Sequence, residues 1–262
     1  MKPAGYKVPM NAIYIKIQEQ AVKIAAQYPV ADFYLDFADQ VEYSLDFFST
    51  DPVVCELYAY VTENIEDDFG HGLIHVRKVA HDAGTLAMIE GGQNNGNSGG
   101  ALRHRLRLAQ CAGLLHDIRR KHKHHAHEGA VFSKNVLAGY PFSDADITDI
   151  CLAIENHEAF GGTRRCRNAA GALLSDCLYD ADKFRWGTEN FTHTVWAMVA
   201  YAHIPIKKFM ELYPKGVSFL EKIKTTFRTP TGRKYGPQFI DLGLGVGQDI
   251  YRFIQSEFPE HL

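Results

Sequence analysis

Apolar residues in this chain recur at spacings of three and four over most of its length, and that periodicity constrains its fold more than anything else. Side chains three or four apart share one face of an α-helix, whereas a half-buried strand alternates every second residue. In NAIYIKIQEQAVKIAAQY, Ile13, Ile17, Ala21 and Ile24 form such a stripe. DFYLDFADQVEYSLDFF continues the pattern. Asp51-Pro52 then reads as a cap followed by proline in the first turn of VVCELYAYVTENIED. After Phe69-Gly70, HGLIHVRKVAHDAGTLAMIE is expected to turn Ile74, Val79, Leu86 and Ile89 inward.

Further helices are expected at ALRHRLRLAQCAGLL, EGAVFSKNVLAGY, SDADITDICLAIENH with Ser143 as cap, NAAGALLSDCLYDA and TENFTHTVWAMVAYA. GGQNNGNSGG reads as a polar, glycine-rich loop. Beyond Pro205 the helical signal weakens. TFRTPTGRKYGPQ reads as a loop that could close over a ligand, and GQDIYRFIQSEF as a closing helix. GLGVGQ has two of the three glycines of a dinucleotide fingerprint but no strand before it, and reads as a helix start. No alternating strand pattern or fixed-period repeat accompanies these segments, so the expectation is an all-α chain, residues 1–262 forming a single domain.

Composition excludes several classes. The chain is 46% apolar and 23% charged with a formal net charge of −3, which gives no global reason to expect a nucleic-acid or membrane-surface partner. Five cysteines without a Cys-x-x-Cys pair argue against a disulfide framework and a cysteine zinc site. The first residues lack the apolar core of a signal peptide, and FTHTVWAMVAYAHIPI is too short to span a bilayer, so a cytoplasmic protein is expected.

Histidine is concentrated. GLLHDIRRKHKHHAHEGA, Gly113 to Ala130, holds five of the thirteen histidines in eighteen residues. His116 and Asp117 follow an apolar helix, where a buried element meets the surface. Adjacent side chains diverge by about 100° on a helix, so this pair can hold one cation only where the backbone departs from it. A second His-Asp pair, His81-Asp82, falls in mid-helix. His75 lies on the preceding helix with His71 one turn earlier, His157 closes AIENHEAFGG, and CLYDADKFRWG supplies Asp180 and Asp182.

The order His, then His-Asp, then Asp resembles the HD-domain metal-dependent phosphohydrolase superfamily. HGLIHVRKVA, AGLLHDIRR and DADKFRWG are similar to its three signature regions in order and rough spacing. The resemblance covers a core of about residues 53–200; helices within 1–52 and an extension at 201–262 would pack on it. It implies an all-α fold in which some five helices bring His75, His116, Asp117 and Asp182 to one metal. His127 and His157 match the histidines that hold a second metal in some members, bridged by the shared aspartate. His122, His124 and His125 compete with His127 for register, and Asp180 fits as well as Asp182 after a two-residue shift. Arg119 stands where the family has a small glycine.

The residue types fit this chemistry independently. Imidazole and carboxylate without thiolate suit Fe, Mn, Ni, Co or Mg, and less exclusively Zn; one divalent ion is expected and two are allowed. The expected reaction is hydrolysis of a phosphoester of a small, nucleotide-like anion by a metal-activated water, with Asp117, His157 and Lys183 as the catalytic group. Between Ala101 and His127, Arg103, Arg105, Arg107, Arg119, Arg120, Lys121 and Lys123 stand against Asp117 alone. Of these Arg119, Arg120 and Lys121, together with His71, Arg164 and Arg185, are the expected substrate contacts, whereas Arg103 and Arg107 suit a wet helix face. No membrane or stable nucleic-acid partner is expected, and a homodimer is allowed. Two other readings stand beside this one: a di-iron oxygenase of the same fold, and a nucleotide-binding regulatory module without turnover.

Overall fold

The computed structural model describes residues 12–65, 70–92 and 99–262, and among these it contains helices and no strand. In chain order the helices are α1 (Ala12–Ala25), α2 (Asp32–Asp36), α3 (Ala38–Thr50), α4 (Pro52–Asn64), α5 (Leu73–Glu90), α6 (Gly99–Leu115), α7 (His125–Leu137), α8 (Asp144–Glu155), α9 (Ala169–Phe184), α10 (Val195–Tyr201), α11 (Ile206–Ile223) and α12 (Pro230–Glu257). A π-helical turn, Asn190–Thr194, leads into α10. The first eleven residues, Phe69 and most of the expected loop at GGQNNGNSGG lie outside the described residues.

Helix α5 is the axis of the structure. It packs against α3, α6, α9 and α12, so it is buried nearly all round rather than along one stripe. Val76, Val79, Ala80, Ala83 and Leu86 are all buried, whereas Ile74, expected inside, is exposed at 59%. Ile74 borders a surface pocket together with Gly70 and Gly72, and Val76 takes the inward position. The α5–α6 crossing is very close: a Cβ on Gly113 would stand 2.5 Å from the Ala80 Cα, so only glycine fits there. This contact fixes the distance between His75, five residues before Ala80, and His116, three residues after Gly113.

Polar caps hold the remaining helices in register. Ser143 accepts from the Asp146 backbone N–H while Asp146 accepts from that of Ser143, a capping box opening α8. Asp51, fully buried, caps α4 and takes both ends of the Arg107 guanidinium at 2.7 and 3.0 Å, with Arg103 beside it. Burial alone would raise this carboxyl; Arg107 outweighs it and holds Asp51 below its ordinary range. Arg103 and Arg107 are therefore clamps between α4 and α6, where a wet helix face was expected. A cation on a charged helix reads as solvated until its partner, 56 residues earlier for Arg107, is folded against it.

The largest departure from expectation is at the C-terminus. TPTGRKYGPQ is not a loop but the first turns of α12, a 28-residue helix that continues through GLGVGQ. Thr229 caps it, accepting from the Gly232 N–H, and Pro230 occupies the first turn. Its glycines, which read as breakers, are close-contact positions: a Cβ on Gly243 would stand 2.4 Å from the Trp186 carbonyl oxygen. A segment built into a helix in this way is not the closing loop the sequence suggested.

Asp180 anchors the start of that helix. Fully buried, it accepts from the backbone N–H groups of Arg228 and Thr229 and from the Thr229 hydroxyl, at 2.7–2.8 Å. Replacing it strands two backbone donors in a buried place, at about 3 kcal/mol. Asp180→Ala is expected to lower Tm by roughly 6–12 °C in a chain of this size, and Asp180→Asn, which keeps an acceptor, by less. Thermal unfolding followed by circular dichroism measures this; an unchanged Tm for the alanine variant would remove Asp180 from the account of how α12 is held.

Candidate metal centre

Seven buried side chains converge from five elements. His71 precedes α5 and His75 lies in its first turn; His116 and Asp117 follow α6; His125 opens α7; His157 follows α8; Asp182 lies in the last turn of α9. The His-Asp pair sits in a turn immediately past the end of α6, where the backbone is no longer helical. Both side chains can therefore face one point.

The imidazoles are aimed by the helix ends that carry them. The last carbonyls of a helix lack intrahelical donors. His116 Nδ1 donates to Gly113 O at 2.8 Å and His157 Nδ1 to Ile154 O at 2.6 Å, each three residues back. Each bond fixes a ring and turns its Nε2 toward the centre. His125 is held in the same sense by Glu158, whose Oε1 lies 3.1 Å from its Nδ1.

Asp117 faces two groups of donors. Its Oδ2 lies 3.4 Å from His116 Nε2, 3.6 Å from His75 Nε2 and 2.9 Å from His71 Nδ1. Its Oδ1 lies 3.5 Å from His157 Nε2 and 3.6 Å from His125 Nε2. Asp182 Oδ1 completes the first group, 3.3 Å from His75 Nε2 and 3.7 Å from His116 Nε2. Ligands about 2.1 Å from one ion stand roughly 3.0–3.4 Å apart at tetrahedral to octahedral angles, so both groups have nearly the spacing of a ligand set.

Three observations test whether a cation suits these residues. Asp117 Oδ1 is buried and has no hydrogen-bond partner among the described residues. His125 and His157 face each other Nε2 to Nε2 at 3.2 Å, with both Nδ1 positions already engaged. Two lone pairs so placed repel unless a cation or proton lies between them. Finally, Asp117 and Asp182 are both held well below the carboxylate range despite burial: His116 is the leading counter-charge for Asp117, and Lys183 for Asp182. Burial lowers His75 to about 4 and His125 to about 3, whereas His116 is pushed up to about 10, because the two aspartates outweigh its desolvation. A buried pair of carboxylates thus draws positive charge to its centre, and the donor set fits a divalent ion.

A cavity of about 230 Å³ opens on this cluster. Arg120 and Lys183 supply cations to its wall. Arg120 donates to His125 Nε2 at 2.7 Å, and Lys183 donates to His157 O at 2.9 Å and to Asp182 Oδ2. Trp186, Asn190, Thr194 and Phe219 form the opposite wall, two of them from the π-helical turn. Such turns recur at functional sites because they push side chains out of helical register.

Several expected contacts lie elsewhere. His127 is not in the cluster. Two residues after His125, it points about 200° away around α7, half exposed, with Nδ1 2.9 Å from Glu155 Oε1. Arg119 lies over the Phe132 ring at 3.8 Å, Lys121 Nζ lies 5.4 Å from the Tyr201 ring, and Arg164 pairs with Glu155. None of the three lines the cavity. Asn156 ties the Arg164 backbone down through both its amide atoms, so the GGTRRCRN segment is fastened beside α8. Arg185 forms part of the wall, but Asp82, Tyr34 and Glu189 hold its guanidinium. That pairing also accounts for the second His-Asp pair: Asp82 is the partner of Arg185, and His81 packs edge-on against Phe48 at 4.5 Å. Sequence reasoning missed Glu158, Trp186 and Phe219, and named His125 only as a rival of His127. His125 and Glu158 had a signal in the His-Ala-His triplet and in the residue after His157; the aromatic pair had none.

No curated protein matches the chain significantly. A solved structure of a predicted HD superfamily hydrolase from an uncultured Thermotogales bacterium is similar, at 23% identity over 81% of this chain and 97% of that one, with a TM-score of 0.48. Residues 72–187 match the family model of the HD domain, a span that contains every clustered residue except His71. By that match, residues 72–187 are an HD domain.

Proposed function

We propose that this chain is a metal-dependent phosphohydrolase acting on a small anionic phosphoester, at the cluster around Asp117. The observation that carries the reading is the burial of two ionised aspartates amid five imidazoles, with Asp117 Oδ1 unpartnered, beneath a cavity walled by Arg120 and Lys183. His75, His116, Asp117 and Asp182 would hold one divalent ion; His125 and His157 would hold a second with the other oxygen of Asp117. Such an ion lowers the pKa of a coordinated water toward ~7 and polarises a phosphoryl oxygen.

The protein's own groups do the rest. Lys183, fixed between Asp182 and the His157 carbonyl, presents a positive charge to a phosphoryl oxygen without reorganising. Arg120 carries a planar fork suited to two phosphoryl oxygens and rests on His125 until an anion draws it away. His71, 2.9 Å from Asp117 Oδ2 and on the cavity wall, orients that carboxylate. Glu158 sets the His125 ring in the same way. Hydrolysis forms one O–P bond from water and breaks the bond to the ester oxygen, which leaves as an alcohol after taking a proton. Nucleotides belong in the first substrate panel as the expectation from sequence, because Arg120 and Lys183 suit any phosphate group.

One observation favours a second reading. Asp117 presents its two oxygens to two separate donor groups, which is also what a di-iron oxygenase of this fold needs. The two cations on the cavity wall favour the phosphoester.

Elemental analysis of the purified protein and its variants tests the assignment. Asp117→Ala is expected to lose its bound metal and at least ~100-fold in kcat/KM toward phosphoesters, since it removes the ligand common to both groups. Full metal content and full activity in that variant would sink the proposal. About two irons per chain, with oxygen consumption, would move the oxygenase ahead; binding without turnover across several metals would leave a regulatory module.

His125→Ala and His127→Ala distinguish the two registers of the second group. The first is expected to lower the metal-to-protein ratio where two ions bind, or to cut kcat/KM where one does. His127→Ala is expected to change neither by more than about twofold. The opposite result would return His127 to the centre.

A further inference from the structure

The polar cavity over the His/Asp cluster shares its aromatic wall with an apolar neighbour. Trp186, Asn190 and Phe219 line it on one side and also line a second chamber of about 240 Å³, formed by α10, α11 and the π-helical turn. Among the described residues that line that chamber, Asn190 and Tyr213 carry amide or hydroxyl groups, Trp186 carries an indole N–H, and none is charged. Phe191, Met198, Leu212 and Val217 represent the rest. At the lip, Phe219 packs edge-on against Trp186 at 5.8 Å and against Phe160 at 5.7 Å. Phe160 is a non-glycine residue at φ 61°, 60% exposed. A left-handed backbone holding a phenyl ring in water is an expensive arrangement, of the kind that persists at binding sites.

We infer that the chamber receives the hydrocarbon part of the substrate whose phosphoryl group lies at the metal cluster. This rests on the phosphohydrolase reading for the polar half. Two arguments support the apolar half. The polar cavity alone falls below the ~300 Å³ at which small-molecule sites begin, and the chamber sharing its wall brings the pair into that range. The chamber's chemistry also selects its occupant. A nucleobase would bring several donors and acceptors into a wall that answers with the Asn190 amide, the Tyr213 hydroxyl and the Trp186 indole N–H, and each unanswered one opposes binding. An alkyl chain or an unsubstituted aromatic ring brings none. The substrate class is therefore a phosphoester of an apolar alcohol.

Ethyl phosphate and n-hexyl phosphate separate the two halves, because their leaving groups have the same reactivity and they differ only in four methylenes. Each buried methylene contributes roughly fourfold, so burial of two or more predicts kcat/KM for the hexyl ester at least ~10-fold above the ethyl ester in the metal-loaded full chain. Two variants should bring that ratio toward one. Leu212→Gln puts an amide into the wall at a position 39% exposed, and Gly216→Leu adds bulk where a Cβ meets no atom within 4 Å. The ratio cancels any loss of folded protein common to both esters.

Tryptophan emission gives a readout independent of turnover, since Trp186 lines the chamber and the other tryptophan, Trp196, is fully buried. If neither ester is hydrolysed but hexyl phosphate alone changes the emission, and Leu212→Gln abolishes the change, the chamber stands and the phosphohydrolase reading falls. Hydrolysis of both esters at a ratio near one overturns the chamber and leaves the phosphohydrolase. A ratio unmoved by both variants overturns it too. A ratio near one in a protein that sediments as a dimer would give the apolar face to a second copy of the chain.

Discussion

Two carboxylates are buried within reach of the same imidazoles, and most of the structure around them follows from that. Isolated, Asp117 and Asp182 would each resist ionisation in a place so poorly reached by water. Both are nonetheless ionised, since His116, Lys183 and the neighbouring rings offset the cost of burial. The concentration of histidine at the ends of α6, α7 and α8 is the folded form of this requirement. A ring whose Nδ1 is spent on a helix-end carbonyl can turn only its Nε2 inward, and a divalent cation answers several such nitrogens at once.

The scaffold's task is to hold that concentration of charge rigidly, and it does so with one close helix crossing, helix caps and buried polar side chains. Gly113 lets α6 touch α5 at Ala80, so no side chain intervenes to set the His75–His116 spacing. The caps at Asp51, Ser143, Asn168 and Thr229 fix where each helix begins. Asp180 links the helix that carries Asp182 to α12, so the C-terminal segment bears on the cluster through one turn of α9. The Arg185–Asp82–Tyr34 group ties α2 and α5 to the end of the same helix.

The helical class and the seat of the cluster were legible because they rest on local pattern and residue type. His75, His116, Asp117, His157 and Asp182 all converge, and each lies where an apolar run ends or a helix begins. The register of two members of the cluster was not legible, for one reason in both places. His125-Ala126-His127 and Asp180-Ala181-Asp182 read the same after a shift of two residues, and the alanine between is buried in each. A two-residue step is about 200° around a helix, so one member must face the cluster and the other away. Nothing local decides which; the packing of α7 on α8 and of α9 on α5 and α12 does. The loop expected at TPTGRKYGPQ failed differently. Glycine counts as a breaker in sequence, but at Gly232 and Gly243 it permits contact with Asp180 and with the Trp186 carbonyl.

The basic excess around residues 101–127 shows how far composition reaches and where it stops. Seven cations precede His127 in that stretch, and of these only Arg120 lines the cavity. Arg103 and Arg107 neutralise Asp51, while Arg119 lies over an aromatic ring. The second cation on the wall, Lys183, comes from another segment altogether. The charges that matter to an anion are those facing inward. Asp117 and Asp182 carry two negative charges, Arg120 and Lys183 two positive, and Glu158 stands at the rim, partly in water. The inner groups cancel, and one divalent ion taking the place of the proton that the two aspartates hold on His116 would leave an excess of two positive charges. A phosphomonoester at neutral pH carries about −1.5 to −2. Under the proposed phosphohydrolase reading, a single ion at His75, His116, Asp117 and Asp182 would meet that balance, and a second ion beside Arg120 would bring more positive charge than one phosphoryl group requires.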